Sequence, residues 1–191
     1  MESLYNFLYT GLELQTAGLI LGVVLILVHL IAWLQGRSAR EFLIGFPRNK
    51  VAGIVLLAIC GIWSWMLISE MDLGEFFTIR QAVKMLIPIG FFLIVFYVDE
   101  FLSVRALGVL LLLLASPILH SAFLEAPVTR LLLPFLAYAW IIVGMFWIDM
   151  PFLMRDWINW LVEKPEKRYG IACGLGAFYG LAILVCAVVA W

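Results

Sequence analysis

The chain has 191 residues, of which 65% are hydrophobic and 13% are charged, with a net charge of −1 and a mean hydropathy of +1.11. Soluble domains are about 45–50% apolar and about 25% charged, so this composition excludes an ordinary water-soluble fold. The 12 Lys and Arg against 13 Asp and Glu leave no basic excess for the phosphates of a nucleic acid, and we expect no nucleic-acid partner.

The first apolar stretch is predicted to stay in the protein as a membrane span. The preceding segment, MESLYNFLYTGLEL, carries two glutamates and no Lys or Arg. A secretory signal begins with a positive region, so this start does not match one. We therefore count the first stretch among the spans.

Six apolar stretches approach the 20 helical residues that cross a hydrocarbon core about 30 Å thick. Helices let a single segment satisfy its own backbone hydrogen bonds in that core. The stretches hold no Asp, Glu, Lys or Arg in their interiors, and Arg80 and Lys84 fall in the first turns of the third. The sequence predicts an all-α, polytopic membrane helix bundle in one domain, residues 1–191, with spans at about 16–34, 51–68, 78–98, 107–124, 131–148 and 171–191.

The loops carry positive charge unevenly, which predicts the orientation. Loops 35–50, 99–106 and 149–170 hold nine Lys and Arg, and the opposite side holds three. Short loops rich in Lys and Arg stay in the cytoplasm. We therefore expect a cell (plasma or inner) membrane location with both termini outside, and anionic lipid headgroups as partners at the cytoplasmic face.

Residues 151–163, after the fifth span, are predicted to form a short amphipathic helix. Leu153, Trp157, Trp160 and Leu161 recur at helical spacing, and polar residues take the other faces. This length and Trp content are typical of a helix that lies in the membrane interface.

Two ten-residue segments offset by 50 residues, FYVDEFLSVR and FWIDMPFLMR, each place an Asp six residues before an Arg. Asp99, Arg105, Asp149 and Arg155 are therefore candidates for an ionic cluster or a headgroup site on the cytoplasmic side. In the alternative interpretation each Asp caps the following helix and each Arg reaches the lipid headgroups. The similarity also raises internal duplication as a hypothesis.

His29 and His120 are the only histidines, and both fall inside spans, which makes them candidates for binding a b-type haem. In the predicted topology their depths differ by on the order of 15 Å, so they cannot share one iron. We expect helix-contact histidines, with a lone proton-relay role as the alternative, and predict no cofactor. The three cysteines lie in apolar runs without CxxC spacing, so no metal site is predicted either.

Glycines spaced four residues apart indicate helix faces that allow close approach. They predict packing by the first and last spans, within the chain or with a partner, and they are Gly18, Gly22, Gly170, Gly174, Gly176 and Gly180. The middle spans contain Pro88, Pro117 and Pro134. Proline frees a helical carbonyl and can kink a helix, so these spans are the place where a cavity would form.

With no ionisable group inside the spans, coupled transport and charge-dependent catalysis are disfavoured. We expect first a non-catalytic integral membrane subunit or scaffold that packs with other membrane proteins. The alternative is a carrier or channel-like protein for a neutral or amphipathic solute, which would use the proline-containing spans. Third comes a lipid-modifying membrane enzyme whose cytoplasmic Asp and Arg groups bind a phosphate headgroup.

Overall fold

The computed structural model describes residues 2–98, 100–163 and 165–191, without the side chains of residues 2, 76, 165 and 166. The described chain is 89% helical and contains no strand. Six of its helices are long and apolar enough to span a membrane. The predicted all-α class and the predicted number of membrane-length helices are confirmed.

The helices follow one another with short connections. The α-helices are α1 (Glu2–Tyr9), α2 (Leu14–Gly45), α3 (Lys50–Glu70), α4 (Arg80–Tyr97), α5 (Leu102–Ser121), α6 (Leu132–Asp149), α7 (Phe152–Glu163) and α8 (Gly170–Val189). The tighter or wider helical turns between them are Phe46–Arg48, Gly74–Ile79, Val128–Leu131 and the π-helical Pro165–Tyr169.

α2 is longer than the predicted first span and is bent near its end. Its 32 residues give a length of about 48 Å, which exceeds a hydrocarbon core of about 30 Å. Gly36 interrupts it with φ 31° and ψ −80°, a conformation that residues with a Cβ rarely adopt. The section before Gly36 therefore has the length of one span, and the section after it, with Arg37 and Arg40, bends away.

α5 begins at Leu102 rather than at the predicted 107 and ends at Ser121 rather than at 124. Arg105, predicted to lie in the 99–106 loop, instead lies in the first turn of α5. Its guanidinium donates a hydrogen bond to a backbone carbonyl of α6. The charge is therefore satisfied inside the bundle and does not prevent the helix from starting earlier.

α5 lies at the centre of the bundle, with α6 on one side and α3 on the other. α2 packs chiefly against α8, and α4 chiefly against α3. The main apolar core forms where α2, α5, α6 and α8 meet, and its buried members are Leu14, Ala17, Ala115, Ile118, Ala122, Leu133, Ala137 and Ile183. Half of this set is alanine, and small residues of this kind let helices approach closely.

One end of the bundle, which we call the terminal end, joins the segments near both chain termini. Gln15 Nε2 donates to Ala187 O at 3.1 Å, and Trp191 Nε1 donates to Thr129 Oγ1 at 2.7 Å. The terminal end comprises residues 2–15, 71–79, 122–131 and 188–191.

The opposite end, the basic end, holds most of the Lys and Arg residues. Ser103 Oγ donates to Phe46 O at 2.6 Å, and Tyr169 OH donates to Ala32 O at 2.9 Å. The basic end comprises, among the described residues, 36–50, 98, 100–105, 149–163 and 165–169. The structure therefore gathers at one end the three loops on which the orientation prediction rests.

α1 folds against α3 and α5 at the terminal end. Its Tyr9 is only 8% exposed, and its hydroxyl accepts from Trp63 Nε1 at 3.1 Å. Burial raises the pKa of the Tyr9 phenol above its ordinary value of 10.0, because the charged phenolate would lose solvation.

Candidate functional site

Four arginines bind the backbone near the C-terminal ends of helices. The bonds run from Arg80 Nη2 to Met71 O at 2.7 Å, Arg105 Nη1 to Ile148 O at 2.9 Å, Arg130 Nη1 to Ala122 O at 3.0 Å and Arg168 Nη1 to Trp160 O at 2.9 Å. The last carbonyls of a helix lack intrahelical partners and form the negative end of its dipole. Each guanidinium thus satisfies a carbonyl where positive charge is favourable, which is a structural use of these residues.

Arg105 lies about one helical turn before a close contact between α5 and α6. A Cβ on Gly108 would lie 2.7 Å from Gly144 O and 2.9 Å from Ile148 Cγ1, and a Cβ on Gly144 would lie 2.8 Å from Gly108 O. Real Cβ atoms essentially never come within 3.0 Å of such atoms, so both positions require glycine.

The four-residue glycine spacing did not reveal this contact, because neither Gly108 nor Gly144 has a glycine four residues away. A seven-residue spacing does reveal it. Gly108 precedes the buried Ala115 by seven residues, and Gly144 follows the buried Ala137 by seven. Small residues seven apart lie on one helix face, and that repeat was the available signal.

Arg105, Asp149 and Arg155 share the basic end but do not form one cluster in the part of the chain that the structure describes. Asp99 lies outside the described residues. Asp149 ends α6 and is exposed, whereas Arg105 donates to the backbone of α6. Arg155 instead pairs with Asp156, with Nη2 2.9 Å from Oδ1. A cluster that includes Asp99 stays a prediction.

The two similar segments have related local structures. The helix after each begins at Leu102 or Phe152, again 50 residues apart. The two helices then differ, since α5 has 20 residues and α7 has 12. The observed likeness is limited to the helix breaks, and internal duplication stays a hypothesis.

His29 lies at the contact between α2 and α8. Its Nδ1 is 2.8 Å from Leu25 O. A carbonyl oxygen can only accept, so Nδ1 carries a proton and donates this bond. A Cβ on Gly176 would overlap the imidazole, so the ring packs directly on the backbone of α8.

His120 lies in a different groove, between α5 and α6 near the terminal end. The groove has a volume of about 490 Å³ and is lined by residues that include Ser116, Phe123 and Ile141. The structure therefore does not bring His120 together with His29. Among the described residues, no three His, Cys, Asp or Glu side chains are grouped so that they could hold a metal ion.

Three of the candidate glycines on α2 and α8, besides Gly176, lie in the contact between these helices. A Cβ on Gly18 would overlap the ring of Trp191, and one on Gly22 would lie 3.0 Å from Gly180 O. A Cβ on Gly180 would lie 2.9 Å from Leu25 Cβ. These glycines are occupied by packing within the chain.

Gly170 and Gly174 are different, because a Cβ at either position would meet no described atom within 4 Å. They lie in a cleft of about 700 Å³ that residues of α2 and α8 line toward the basic end. We call this space the α2–α8 cleft, and its lining includes His29, Leu30, Trp33, Lys167, Gly170 and Gly174. Its volume falls in the range of about 300–1,000 Å³ that is typical of small-molecule sites.

A second space, the α3–α4 groove, has a volume of about 430 Å³ and an apolar lining. Its floor contains Ala58 and Gly61, and Trp65, Pro88 and Phe91 border it. None of the residues that the structure describes in α4 is buried. The groove therefore lies between a helix that belongs to the bundle and one that is attached to it along a single side.

α7 has one face against the bundle and another that carries tryptophans. Met154 and Ile158 are buried with Val104 at the basic end. Trp157 and Trp160 are 65% and 55% exposed. The helix predicted near 151–163 is therefore present, and its exposed side carries both tryptophans and the polar residues Arg155, Asp156 and Asn159.

Comparisons with models of protein families, with curated proteins and with solved structures find no match for this chain. Fold and geometry therefore define its class, an all-helical protein with six helices long and apolar enough to cross a membrane.

Proposed function

We propose that this protein is a non-catalytic integral membrane subunit or scaffold that packs with other helical membrane proteins. The α3–α4 groove is the observation that carries this proposal. A helix of a partner is the occupant that fits its apolar lining and its small-residue floor.

The packing of α4 supports this role. α4 has 18 residues, none of the described ones is buried, and its main contact is with α3. In lipid, helices associate through close packing of small residues rather than through a hydrophobic driving force. A Cβ on Gly61 would meet only Ile87 Cγ2, at 3.9 Å, so the floor of the groove has room for a side chain from another helix.

The glycines of α2 and α8 offer less to a partner. Gly18, Gly22, Gly176 and Gly180 already lie against atoms of the same chain. A partner cannot use these positions without separating α2 from α8. The α3–α4 groove, by contrast, is open without any rearrangement of the described residues.

To test this proposal, the wild type and the Gly61→Leu variant are each purified in a mild detergent, and the polypeptides that co-migrate with them are compared. Stoichiometric co-migration of another membrane polypeptide with the wild type supports the proposal, and Gly61→Leu should reduce it because leucine fills the groove. Gly174→Leu is the matched control, since it adds the same side chain in the α2–α8 cleft. A wild type that purifies alone, or equal loss in both variants, would contradict the proposed surface.

The proposed location is a cell membrane with the basic end in the cytoplasm, both termini outside and α7 lying in the interface. The grouping of Lys and Arg at one end supports this orientation, and the exposed tryptophans of α7 support the interfacial placement. In a background without native cysteines, Ser38→Cys should resist an impermeant thiol reagent added from outside, and Glu125→Cys should react. The reverse pattern would invert the orientation.

A carrier or channel-like protein for a neutral or amphipathic solute is the second candidate. The α2–α8 cleft favours it, because the cleft has apolar walls and a basic residue, Lys167, at its opening. A lipid-modifying enzyme is third. It would use the exposed Asp149, so Asp149→Asn should abolish lipid turnover while leaving the yield of folded protein unchanged. Uptake of a labelled amphiphile into proteoliposomes would support the carrier over the subunit.

A further inference from the structure

We propose that the α2–α8 cleft binds one anionic phospholipid from the leaflet at the basic end. The phosphate would lie at Lys167, and one acyl chain would run along Leu30 and Gly174. This site is independent of the α3–α4 groove and of the proposed subunit role.

The charges around the mouth of the cleft suit an anion. Lys167 is exposed and forms no ion pair with any side chain that the structure describes. Arg40 lies close by, with its guanidinium 5.7 Å from the ring centroid of Tyr169. Arg168 is also near but is partly neutralised by Glu163, at 3.0 Å. Among the side chains that the structure describes, positive charge therefore remains at the mouth, and a phosphate headgroup is its complement.

The interior of the cleft suits a hydrocarbon chain. Gly170 and Gly174 lie one helical turn apart and leave a trough where side chains would otherwise project. Leu30 and Ile171 form apolar walls, and Trp33 also lines the space. From Lys167 to Gly174 the helix rises by about 10 Å, so a lipid with its phosphate at the mouth places the first part of its chain in the trough.

A partner helix fits this cleft less well than it fits the α3–α4 groove. It would cover the Lys167 ammonium, and removing a lysine charge from water within a membrane is costly. A lipid instead brings its own anionic phosphate to the ammonium, so the charge is paired rather than covered.

Native mass spectrometry of the detergent-purified full chain tests the site, with phosphatidylglycerol as the anionic probe and phosphatidylcholine as the zwitterionic one. The wild type should bind one phosphatidylglycerol at least about fivefold more tightly than phosphatidylcholine, the factor expected from one basic residue near an anionic headgroup. Lys167→Gln should remove most of this preference, and Lys167→Arg should retain it. Gly174→Leu should weaken both lipids at least about tenfold, because its side chain fills the trough without meeting a neighbouring helix.

Gly61→Leu is the matched control and should leave lipid binding unchanged, even where it removes a co-migrating polypeptide. Equal affinity of the wild type for the two lipids would overturn the proposal, as would unchanged binding in Gly174→Leu. If Gly174→Leu keeps its lipid but loses a polypeptide that Gly61→Leu retains, the cleft is a helix-docking surface and the lipid proposal is wrong. Lys167→Gln changes an exposed side chain, so the charge preference can be measured even if the leucine variant folds poorly.

Discussion

The contact between Gly108 of α5 and Gly144 of α6 gives the sharpest prediction, that Gly108→Ala destabilises the bundle. The added methyl group would lie 2.7 Å from Gly144 O, and ordinary contact begins near 3.4 Å. The obstacle is a backbone oxygen and cannot rotate away. The helices must therefore separate by about 0.7 Å, a gap that removes about a quarter to a half of the dispersion energy of the contacts it opens.

Overpacking of this kind costs about 1–3 kcal/mol. The separation also stretches the bond from Arg105 Nη1 to Ile148 O, which is 2.9 Å long. For a chain of 150–250 residues, each kcal/mol corresponds to about 2–4 °C in the melting temperature. We therefore expect Gly108→Ala to lower the melting temperature by roughly 4–8 °C for a cost of about 2 kcal/mol.

The assay is thermal unfolding in one fixed detergent, followed by the fraction that remains monodisperse on size-exclusion chromatography. Gly90→Ala is the control, because Gly90 lies inside α4 and a Cβ there would meet no described atom within 4 Å. That substitution should be neutral or stabilising, since alanine favours a helix by up to about 1 kcal/mol over glycine. Equal melting temperatures for the two variants would refute the claim that the α5–α6 contact requires glycine.

Two further predictions concern the terminal end. Arg130→Met should lower the free energy of unfolding by about 1–2 kcal/mol in the same assay, because Ala122 O loses a charged donor. Arg130→Lys should recover part of this loss. A methionine variant as stable as the wild type would show that the bond contributes nothing. Tyr9→Phe should cost about 1 kcal/mol below pH 10 through loss of the bond from Trp63. Because burial raises the pKa of Tyr9 above 10.0, the unfolded chain loses this proton first, so wild-type stability falls as pH rises from about 10 through the raised pKa. Melting curves measured between about pH 8 and 11 should show a smaller fall in stability for Tyr9→Phe than for the wild type. An identical pH dependence in both proteins would contradict the role of the buried phenol.

The membrane-length helices were predictable because apolar stretches without internal charge have few other conformations in lipid. Residues 51–68 and 131–148 match α3 and α6 within two residues at each end. The errors arose where charge was used as a boundary. Arg105 belongs to α5 because its charge is directed to a helix carbonyl, and a sequence does not show that acceptor.

The packing was less predictable than the helices, because it depends on which faces meet. The glycine spacing predicts close-approach positions at both pairs on α8. Gly176 and Gly180 lie against atoms of α2, whereas a Cβ on Gly170 or Gly174 would meet no described atom within 4 Å. Six residues turn an α-helix by about 240°, so the two pairs lie on different faces of α8, and α2 packs directly on only the face that holds Gly176 and Gly180. Glycine spacing indicates where a helix can be approached closely. The position of the neighbouring helix then decides which of these sites is used.

The pairing of α2 with α8 has a consequence for biosynthesis. Gln15 and Ala187 are 172 residues apart in sequence yet share a hydrogen bond. Chains emerge from the ribosome N-terminus first, at roughly 5–20 residues per second. α2 is therefore without its principal neighbour until α8 has been translated, and for that interval of several seconds its glycine face is open to other helices or to quality-control factors.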